Sequence, residues 1–387
     1  MDNKKNGIPK LRFPGFTGAW EQRKLGEEFK RVNERNNGEF GKDRWISVAK
    51  MYFQDPDKVT SNNIDTRTYV MRFGDIAFEG HPNNEFKFGR FVANDIGDGV
   101  VSELFPIYRH IRDYDNNYWK YAIHLERIMG PIFAKSITSS GNSSNKLAPK
   151  DLLRQSIFLP HLDEQKQIGD FFKQLDSLIT LHQRKLEHLQ EQKKGLLQKM
   201  FPKNGETVPE VRFPGFTDAW EQRRLGEVAE IKTGSRNHQD SVDNGKYPFF
   251  VRSEKVERLN EYDFDTKAIL VPGDGRIGEI FHYYDGKFAL HQRVYKVDNF
   301  KEVNPLYLLN LFKYKFKKHA LRLNAQGTVP SLRLPMFTNW NILIPNLNEQ
   351  QKIGLFFQQL DSLITLHQRK LDHLELMKKG LLQQMFV

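Results

Sequence analysis

The sequence predicts an α+β fold. It comprises two globular domains of mixed α and β structure, separated by two long helices that form an antiparallel coiled coil, in a pseudo-twofold architecture produced by tandem duplication. Three observations support this prediction. Two sequence blocks occur twice in the 387 residues. One of these blocks carries a heptad stripe of apolar residues. The segments between the blocks combine short strand-like runs with one amphipathic helix each.

The repeated blocks form a constant frame around two unlike inserts. Residues 11–28 return as residues 211–228 with 14 of 18 positions identical, and residues 162–201 return as residues 347–386 with 30 of 40 identical. The inserts do not resemble each other. The period of about 200 residues is far longer than that of a solenoid repeat, so it indicates a duplication. We expect four parts, named domain 1, helix 1, domain 2 and helix 2: residues 1–161, 162–203, 204–346 and 347–387.

Helix 1 and helix 2 each carry apolar residues at alternating steps of four and three, which is the spacing of a coiled-coil seam. In helix 1 this apolar seam comprises Ile168, Phe172, Leu175, Ile179, Leu186, Leu189 and Leu196. In helix 2 it comprises Ile353, Phe357, Leu360, Ile364, Leu371, Leu374 and Leu381. A lone helix would leave its stripe in water, so we expect the two copies to pair antiparallel. A rod of roughly 33 residues, about 50 Å long, would then separate the two domains.

Polar and small residues within the helices allow more than one interpretation. His182 and His367 lie in the seam, where a single histidine per helix more often fixes the register than binds a metal. The glycines indicate either close approach of another segment or frayed helix ends, and the sequence does not decide between them: Gly169, Gly195, Gly354 and Gly380. Acidic and amide residues suit the helix N-termini: Asp163, Glu164, Asn348 and Glu349.

Composition restricts the class of protein. The chain has 59 Lys and Arg against 48 Asp and Glu, a net charge of +11. Residues 1–161 carry +5 and residues 207–346 carry +4, whereas each helical segment carries +1. This basic excess on the domains favours a polyanionic partner, although a single Lys or Arg is more often only a solvated surface residue. The absence of cysteine excludes disulfides and thiolate sites. With no signal-like N-terminus and no long apolar run, we expect a soluble, cytoplasmic protein.

The two inserts follow one plan in different sequences. Strand-like runs in the first insert are residues 69–72, 76–79, 88–93 and 107–110, and those in the second are 247–251, 268–271, 279–284 and 293–297. A helix is predicted over residues 117–134 in the first insert and 305–320 in the second. Each insert then passes through a polar glycine loop, at residues 139–143 or 326–329, before a last strand.

A search for catalytic patterns finds little. Residues 273–278 (GDGRIG) match the dinucleotide-binding glycine pattern, but a strand rather than a helix follows, which favours a turn between strands. No phosphate-binding P-loop, methyltransferase tetrad, HExxH pattern or histidine ligand spacing is present. Asp75, Glu85 and Lys87 have the order of a metal-dependent nuclease. Such a loose pattern arises easily in a chain that is 28% charged, and domain 2 has no copy of it.

The tandem block (D/N)-E-Q-x-x-I-G-x-F-F-x-x-L-D-x-L-I-x-x-H-x-R-K-L and the opening R-F-P-G-F-T-x-A-W-E-Q-R-x-L-G-E resemble the specificity subunit of bacterial type I restriction-modification enzymes, over essentially the whole chain. The resemblance implies that domains 1 and 2 are target-recognition domains. Each would read one half of a split, asymmetric double-stranded DNA site, with a spacer set by the helices. It also implies a non-catalytic chain that docks two methyltransferase subunits and the restriction subunits. Those partners bind S-adenosylmethionine, ATP and Mg²⁺. Phage anti-restriction proteins that mimic DNA are expected as further partners, and no membrane is involved.

Base-reading residues cannot be transferred from the family, because the reading loops are what varies. Polarity and loop placement favour a set of Arg, Lys, Asn, Gln and Thr side chains, since these can bond phosphates or base edges. In domain 1 they are Arg44, Lys50, Asn83, Asn84, Lys87, Arg90, Asn142 and Lys146. In domain 2 they are Arg236, Asn237, Arg252, Arg276, Gln292, Arg293, Gln326, Thr328 and Arg333.

Two alternatives to a DNA-recognition subunit remain from the sequence. One is a self-contained Mg²⁺-dependent endonuclease that uses Asp75, Glu85 and Lys87, which predicts that the chain alone cleaves DNA. The other is a coiled-coil adaptor without a nucleic-acid role, which predicts no retention on DNA at physiological salt. The basic excess on the domains argues moderately against the adaptor.

Overall fold

The computed structural model describes residues 7–60, 63–140, 144–324 and 330–387. It divides into two compact units. Unit 1 contains residues 1–182 and 370–387, and unit 2 contains residues 183–369. Because both boundaries lie inside the two long helices, each unit combines one globular domain with one part of each helix.

Unit 1 is built from short strands and helices. Its strands are β1 (Glu21–Lys24), β2 (Phe29–Val32), β3 (Ile46–Ser47), β4 (Tyr52–Phe53), β5 (Thr68–Met71), β6 (Ile76–Glu79), β7 (Arg90–Ala93), β8 (Gly99–Ser102), β9 (Ile107–His110), β10 (Ile137–Ser140), β11 (Asn145–Leu147) and β12 (Ser156–Leu159). Its short helices are α1 (Leu25–Glu28), α2 (Asn116–Ala122), α3 (Glu126–Ala134) and α4 (Pro149–Arg154). The largest sheet has the strand order β2-β9-β6-β7, and all its pairs are antiparallel.

Unit 2 gathers most of its strands into one larger sheet. Its strands are β13 (Glu221–Arg224), β14 (Glu230–Thr233), β15 (Tyr247–Phe250), β16 (Glu257–Leu259), β17 (Phe264–Pro272), β18 (His282–Leu290), β19 (Val294–Asp298) and β20 (Asn341–Ile344). Its short helices are α6 (Leu225–Val228), α7 (Pro305–Leu311), α8 (Lys317–Leu323) and α9 (Leu334–Thr338). The sheet has the order β14-β19-β17-β18-β15-β16, with β15 and β18 parallel and the other neighbours antiparallel.

The constant frame folds identically in the two units. In unit 1, β1 pairs with β12 so that Arg23 lies opposite Ile157, and in unit 2, β13 pairs with β20 so that Arg223 lies opposite Ile342. In each unit, this strand pair joins the repeated block that precedes the insert to the last strand of the same insert. Each insert is therefore closed at its base by the same two-stranded ladder.

The long helices α5 (Leu162–Met200) and α10 (Leu347–Met385) each span 39 residues, longer than the roughly 33 expected. They run antiparallel within each unit. In unit 1, Phe172 lies 5.9 Å from Phe386 between ring centroids, and Asp176 pairs with Lys378 at 2.6 Å. In unit 2, the ring centroids of Phe201 and Phe357 are 6.3 Å apart, and Lys193 forms an ion pair with Asp361. In both units, residues with higher numbers in α5 contact residues with lower numbers in α10, as antiparallel helices do.

The proposed seam residues are buried or half-buried along both helices. Buried are Ile168, Phe172, Leu175, Leu186, Leu189, Ile353, Phe357, Leu360 and Leu371, and half-buried are Ile179, Leu196, Ile364, Leu374 and Leu381. The polar seam positions His182, Lys193, His367 and Lys378 are also half-buried. Their flanking residues are mostly exposed, so the stripe is the inward face of each helix.

The helix glycines fall into two kinds. A Cβ atom on Gly169 would lie 2.7 Å from the backbone nitrogen of Tyr118, and one on Gly354 would lie 3.0 Å from that of Tyr307. A Cβ atom on Gly195 or Gly380 would meet no atom within 4 Å. Close approach of the domain therefore explains the first two glycines, at the N-termini of α2 and α7, and it does not explain the other two.

The domain strands agree in part with the expected ones. β6 and β9 have the predicted bounds, and β5, β7, β15, β17 and β19 overlap the predictions. The strand expected at residues 279–284 begins only at His282 and continues to Leu290. The helix expected over residues 117–134 is two helices, because the chain leaves helical geometry between Ala122 and Glu126. A π-helical turn, Phe312–Phe316, joins α7 to α8 in unit 2.

Candidate nucleic-acid interface

Loops of unit 2 bring predicted contact residues together through backbone hydrogen bonds. The nitrogen of Gln292 donates to the carbonyl of Arg236 at 2.8 Å, and the Gln292 side-chain amide donates to Oδ1 of Asn237 at 2.5 Å. The nitrogen of Gly273 donates to the carbonyl of Arg293 at 2.7 Å, and that of Leu332 donates to the carbonyl of Gly273 at 2.6 Å. Arg236, Asn237, Gln292, Arg293 and Arg333 thus lie on connected loops.

Ion pairs sort the arginines on these loops into two groups. Arg236 contacts Glu261 and Asp263, each at 2.9 Å. Arg252 contacts Asp274 at 3.2 Å, and Arg276 contacts Glu254 at 2.9 Å and Glu279 at 2.8 Å. The hydrogen bond to Asp263 raises the pKa of Arg236. The exposed side chains of Arg293 and Arg333 have no hydrogen-bond or ion-pair partner among the described residues.

The predicted residues of domain 1 also converge. Arg90 is half-buried, bonded to Glu79 at 2.7 Å and to the carbonyl of Ala49 at 2.7 Å. The nitrogen of Asn145 donates to the carbonyl of Gly80 at 2.8 Å. These bonds bring Ala49, next to Lys50, and strand β11, which carries Lys146, to the same end of the β6–β7 pair, where Arg90 lies. Lys50 and Lys146 are both exposed. Arg44 lies over the ring of Phe53, 5.0 Å from its centroid.

The turn between β6 and β7 holds the remaining described candidates. Oδ1 of Asn83 accepts hydrogen bonds from the nitrogens of Glu85 at 2.8 Å and Phe86 at 2.9 Å, so this amide shapes the turn. Asn84 and Lys87 are exposed on the same turn. Asn142, Gln326 and Thr328 lie outside the described residues.

The geometry does not support the nuclease alternative. Asp75 is 1% exposed, and its carboxylate accepts from Nε and Nη2 of Arg109, both at 2.8 Å, and from the nitrogen of Arg72 at 2.8 Å. Burial raises the pKa of Asp75, and the bonds from Arg109 oppose that rise. Glu85 and Lys87 are exposed on a separate turn. Among the described ranges, no group of three or more His, Asp or Glu side chains is placed to hold a metal ion.

Two features that sequence reasoning missed support the domains. In unit 1, Arg72 bonds Glu34, Glu39 and Asp98 and so holds the loops between strands in place. In the frame, Arg12 bonds Glu164 through two hydrogen bonds of 2.6 and 2.7 Å, and Arg212 bonds Glu349 at 2.6 and 2.8 Å. The frame pairs could have been found, because the duplication preserves both partners. The Arg72 cluster has no such signal.

The position of the cations at the helix ends is also repeated. In unit 1, Nη2 of Arg127 donates to the carbonyls of Leu382 and Phe386, each at 2.9 Å. In unit 2, the ammonium of Lys315 donates to the carbonyl of Pro202 at 2.5 Å. Each domain thus places a cation at the C-terminal end of a long helix, where the helix dipole favours positive charge. No helix in the described part of the chain combines the length and apolarity that a bilayer span requires.

The molecule thus carries two unlike domains on one repeated frame, each with polar loops that hold arginine and amide side chains. A family model for the type I restriction modification DNA specificity domain matches residues 104–191 and 217–376, which is more than half of the chain. The chain belongs to this family of type I restriction-modification specificity proteins.

Relatives and solved structures agree with this assignment. The chain is 31% identical over 146 residues to the EcoDI specificity subunit of Escherichia coli, covering 38% of this chain and 31% of that protein. It is 25% identical over 260 residues to the MjaVIII specificity subunit of Methanocaldococcus jannaschii, covering 58% and 59%. Both alignments span less than two thirds of the relative. The fold is similar to that of a type I restriction-modification S subunit from M. genitalium, with a TM-score of 0.67, 15% identity and coverage of 98% and 99%.

Proposed function

We propose that this chain is the DNA sequence-recognition subunit of a type I restriction-modification complex. Domain 1 and domain 2 each read one half of a split, asymmetric site in the major groove. The paired helices set the spacer and dock methyltransferase subunits, and the chain thereby directs adenine methylation and restriction. The observation that carries this proposal is the identical mounting of two unlike domains, through Arg12 and Glu164 in unit 1 and Arg212 and Glu349 in unit 2.

The connected loops of unit 2 support direct reading of bases by domain 2. Arg293 and Gln292 are adjacent, exposed and close to Asn237. Arginine bonds guanine and glutamine or asparagine bonds adenine through paired hydrogen bonds, so these three side chains suit a major-groove surface. Arg293 and Arg333 need break no ion pair to reach DNA. Arg236, Arg252 and Arg276 would exchange carboxylates for phosphates or bases.

Domain 1 offers a second surface with a different composition. Lys50, Lys146 and Lys87 are exposed ammonium groups, and Asn84 is an exposed amide. Lysines act as point charges toward phosphate, whereas Arg44, stacked on Phe53, keeps a planar guanidinium available for a base or phosphate. Two domains with such different polar groups are expected to read different half-sites.

The long helices support the role of a spacer. A 39-residue helix is about 58 Å long, and successive major grooves on one face of DNA are about 34–36 Å apart. Antiparallel pairing of the helices within each unit, at Asp176 and Lys378 and at Lys193 and Asp361, supports their role as a spacer. The catalytic cofactors S-adenosylmethionine, ATP and Mg²⁺ would bind the methyltransferase and restriction subunits and not this chain.

Methylome sequencing tests the proposal. The chain is co-expressed with its methyltransferase partner in a host free of other adenine methylation, and modified adenines are mapped by long-read sequencing. We expect one split motif with a fixed spacer. Replacing domain 1 by that of a related chain should change one half of the motif only, and replacing domain 2 should change the other half. In the matched control, each domain is removed and its own sequence is reinserted through the same junctions.

Contradictory outcomes are equally distinct. An unsplit motif, or a change in both halves after one exchange, would refute the assignment of one domain to one half-site. Cleavage of DNA by the purified chain with Mg²⁺ would favour the nuclease that uses Asp75, Glu85 and Lys87. No methylation and no retention on DNA at physiological salt would favour the adaptor.

A further inference from the structure

Unit 2 contains a cleft of about 570 Å³ at the base of domain 2. One wall is the segment that leaves α5, with Phe201 and Lys203, and the opposite wall is α8 with the π-helical turn before it. The strand ladder β13–β20 forms the floor through Gln222 and Asn341. This volume lies within the range of about 300–1,000 Å³ that is usual for small-molecule sites.

The cleft is strongly cationic. It is lined by Lys203, Lys315, Lys318, His319 and Arg322, and no described lining residue is Asp or Glu. Burial lowers the pKa of His319, so the positive charge comes from the four Lys and Arg side chains. They create a positive potential that attracts anions.

Internal contacts account for only part of this charge. Lys315 donates to the carbonyl of Pro202, and burial lowers the pKa of Lys315, which shows that its surroundings are poorly hydrated. Lys203 lies 3.4 Å from Glu210, outside the cleft. Lys318 and Arg322 are exposed and have no ion-pair or hydrogen-bond partner within the described ranges. Two cations on successive turns of α8 therefore face the cleft without a partner.

Comparison with unit 1 shows that the frame does not require these cations. Trp20 and Phe386 occupy in unit 1 the place that Trp220 and Phe201 occupy in unit 2, with ring centroids 6.4 Å apart in the first pair and 6.0 Å in the second. The matching wall of domain 1 is α3, whose sequence ERIMGPIFA has one basic and one acidic residue. The frame closes with that neutral helix, so packing does not explain Lys318 and Arg322. His319 is explained by packing, because its ring stacks on Trp340 and its Nε2 bonds the carbonyl oxygen of Met336 at 2.9 Å.

The other lining groups indicate what kind of anion fits. The half-buried ring of Tyr314 lines the same cleft, together with the exposed side chains of Gln222 and Asn341. Trp220 and Trp340 border the cleft as buried rings, 3% and 5% exposed. Aromatic faces stack on nucleobases, ammonium and guanidinium groups bond phosphate, and amides bond base or sugar edges. A simple anion would use only the cations, whereas a nucleotide uses all three kinds of group.

We propose that this cleft is a binding site for a phosphorylated nucleoside, with Lys318 and Arg322 on the phosphate and the ring of Tyr314 on the base. The nucleotide comes either from solution or from an unpaired nucleic-acid strand, because both present the same chemistry. This site is separate from the loops that carry Arg293 and Arg333 and does not depend on the proposed half-site reading.

Binding to the purified full-length chain tests the site. Tryptophan fluorescence is followed during titration with AMP, with a short single-stranded oligothymidine, or with inorganic phosphate. We expect saturable quenching by AMP or the oligonucleotide, because Trp220 and Trp340 border the cleft. Lys318→Ala/Arg322→Ala should weaken that binding at least about tenfold, the effect of losing about 1.4 kcal/mol. The matched control Lys301→Ala/Lys317→Ala removes two positive charges from unit 2 outside the cleft and should change the affinity less than about twofold.

The outcomes separate the two sources and the failure of the proposal. Loss of AMP binding in the cleft variant assigns a free nucleotide. Loss of oligonucleotide binding alone, with a salt dependence reduced by about two phosphate contacts, assigns a nucleic-acid strand. Equal effects of the cleft and control variants, or binding of inorganic phosphate as tight as that of AMP, overturn the nucleotide site. Should the double variant not fold, Asn341→Asp adds a carboxylate to the cleft and is expected to weaken binding as well. The methylation motif of the complex should be unchanged in every case, so this test stands apart from that of half-site reading.

Discussion

The frame makes the same contacts in both units, whereas the two domains reach the frame through different chemistry. In unit 1 the carboxylate of Asp176 pairs with Lys378 and accepts a hydrogen bond from the hydroxyl of Tyr121 at 2.7 Å. In unit 2 the equivalent Asp361 pairs with Lys193 and with Lys313 at 3.1 Å. The repeated aspartate therefore accepts a hydrogen bond from a neutral hydroxyl of domain 1 in unit 1, and it forms an ion pair with a lysine of domain 2 in unit 2.

This difference separates mounting from reading. Residues that recur in both copies hold a domain on the helices, and residues that differ carry what is particular to that domain. A mounting residue should therefore have the same effect in both units when it is replaced, and a reading residue should affect one half-site only.

The largest expected effect comes from the buried frame ion pairs. Glu164 and Glu349 are fully buried, and each binds its arginine through two hydrogen bonds. Replacing either glutamate by alanine leaves a partly buried arginine without its partner, so it should cost about 3–5 kcal/mol. Hydrogen exchange should show Glu164→Ala acting on the β1–β12 ladder and Glu349→Ala on the β13–β20 ladder, by similar amounts. Glu187→Ala, at an exposed position of α5, is the control. Unequal losses at the two ladders would contradict identical mounting.

The next effect distinguishes the two kinds of helix glycine. Gly169→Ala and Gly354→Ala place a Cβ atom about 3 Å or less from the backbone of α2 or α7, so each should destabilise its unit by about 2–3 kcal/mol. Gly195→Ala and Gly380→Ala meet no atom of the chain and should stabilise the helices by up to about 1 kcal/mol. Urea denaturation of the four variants measures the sign directly. Destabilisation by the second pair would mean that these glycines have a role within the chain that the structure does not show.

These two sets of residues also show how far sequence reasoning reaches. The duplication, the seam and the placement of a helix after each insert follow from local spacing and from comparison of the two copies. Glu164 and Glu349 were interpreted only as suitable for a helix N-terminus, because their partners Arg12 and Arg212 lie 152 and 137 residues away. Local periodicity carries no information on such distant pairs.

The domains were harder to predict for a related reason. The break between α2 and α3 lies in a largely apolar run that ends at Leu125 and that predicts one continuous helix. Tertiary packing decides where the chain bends within this run. Which arginines are available to contact DNA depends on which of them form ion pairs with carboxylates in the fold. Arg236 is held by Asp263, 27 residues further along the chain, whereas the Arg293 side chain has no hydrogen-bond or ion-pair partner in the described part of the chain. Loop polarity identified both arginines and could not tell them apart.

That contrast between arginines gives a prediction for reading. Arg293→Ala should weaken binding of the cognate sequence by about 1–3 kcal/mol and relax one base of one half-site, because its side chain needs break no internal contact. Arg276→Ala should cost less, since Arg276 first gives up Glu254 and Glu279. Binding of the methyltransferase complex to duplexes substituted at each position measures both. Relaxation of positions in both half-sites by Arg293→Ala would contradict the separation of the two readers.

The smallest effect concerns a buried histidine that unit 2 lacks. In unit 1 the β2–β9 ladder places His110 opposite Phe29. In unit 2 Ala229 stands at the position of Phe29, and the β14–β19 ladder begins one residue later, with Glu230 opposite Asp298. The His110 ring stacks on Tyr114 with centroids 3.7 Å apart, and burial lowers the pKa of His110 to about 3. Neither ring nitrogen has a hydrogen-bond partner within the described ranges.

Because the ordinary pKa of histidine is about 6.5, the unfolded chain binds a proton below that pH while the folded chain does not. His110 therefore favours the folded state above about pH 6.5, and this contribution decreases by up to about 1.4 kcal/mol per pH unit as the pH falls toward 3. His110→Phe keeps an aromatic ring beside Tyr114 and should flatten the acid loss of stability in unit 1, leaving the share that comes from His124, whose pKa burial also lowers. Thermal unfolding of wild type and variant between pH 7 and pH 5 measures the change, with His81→Gln as an exposed control. An equal pH dependence in wild type and His110→Phe would show that the His110 ring is charged or hydrated in the folded domain.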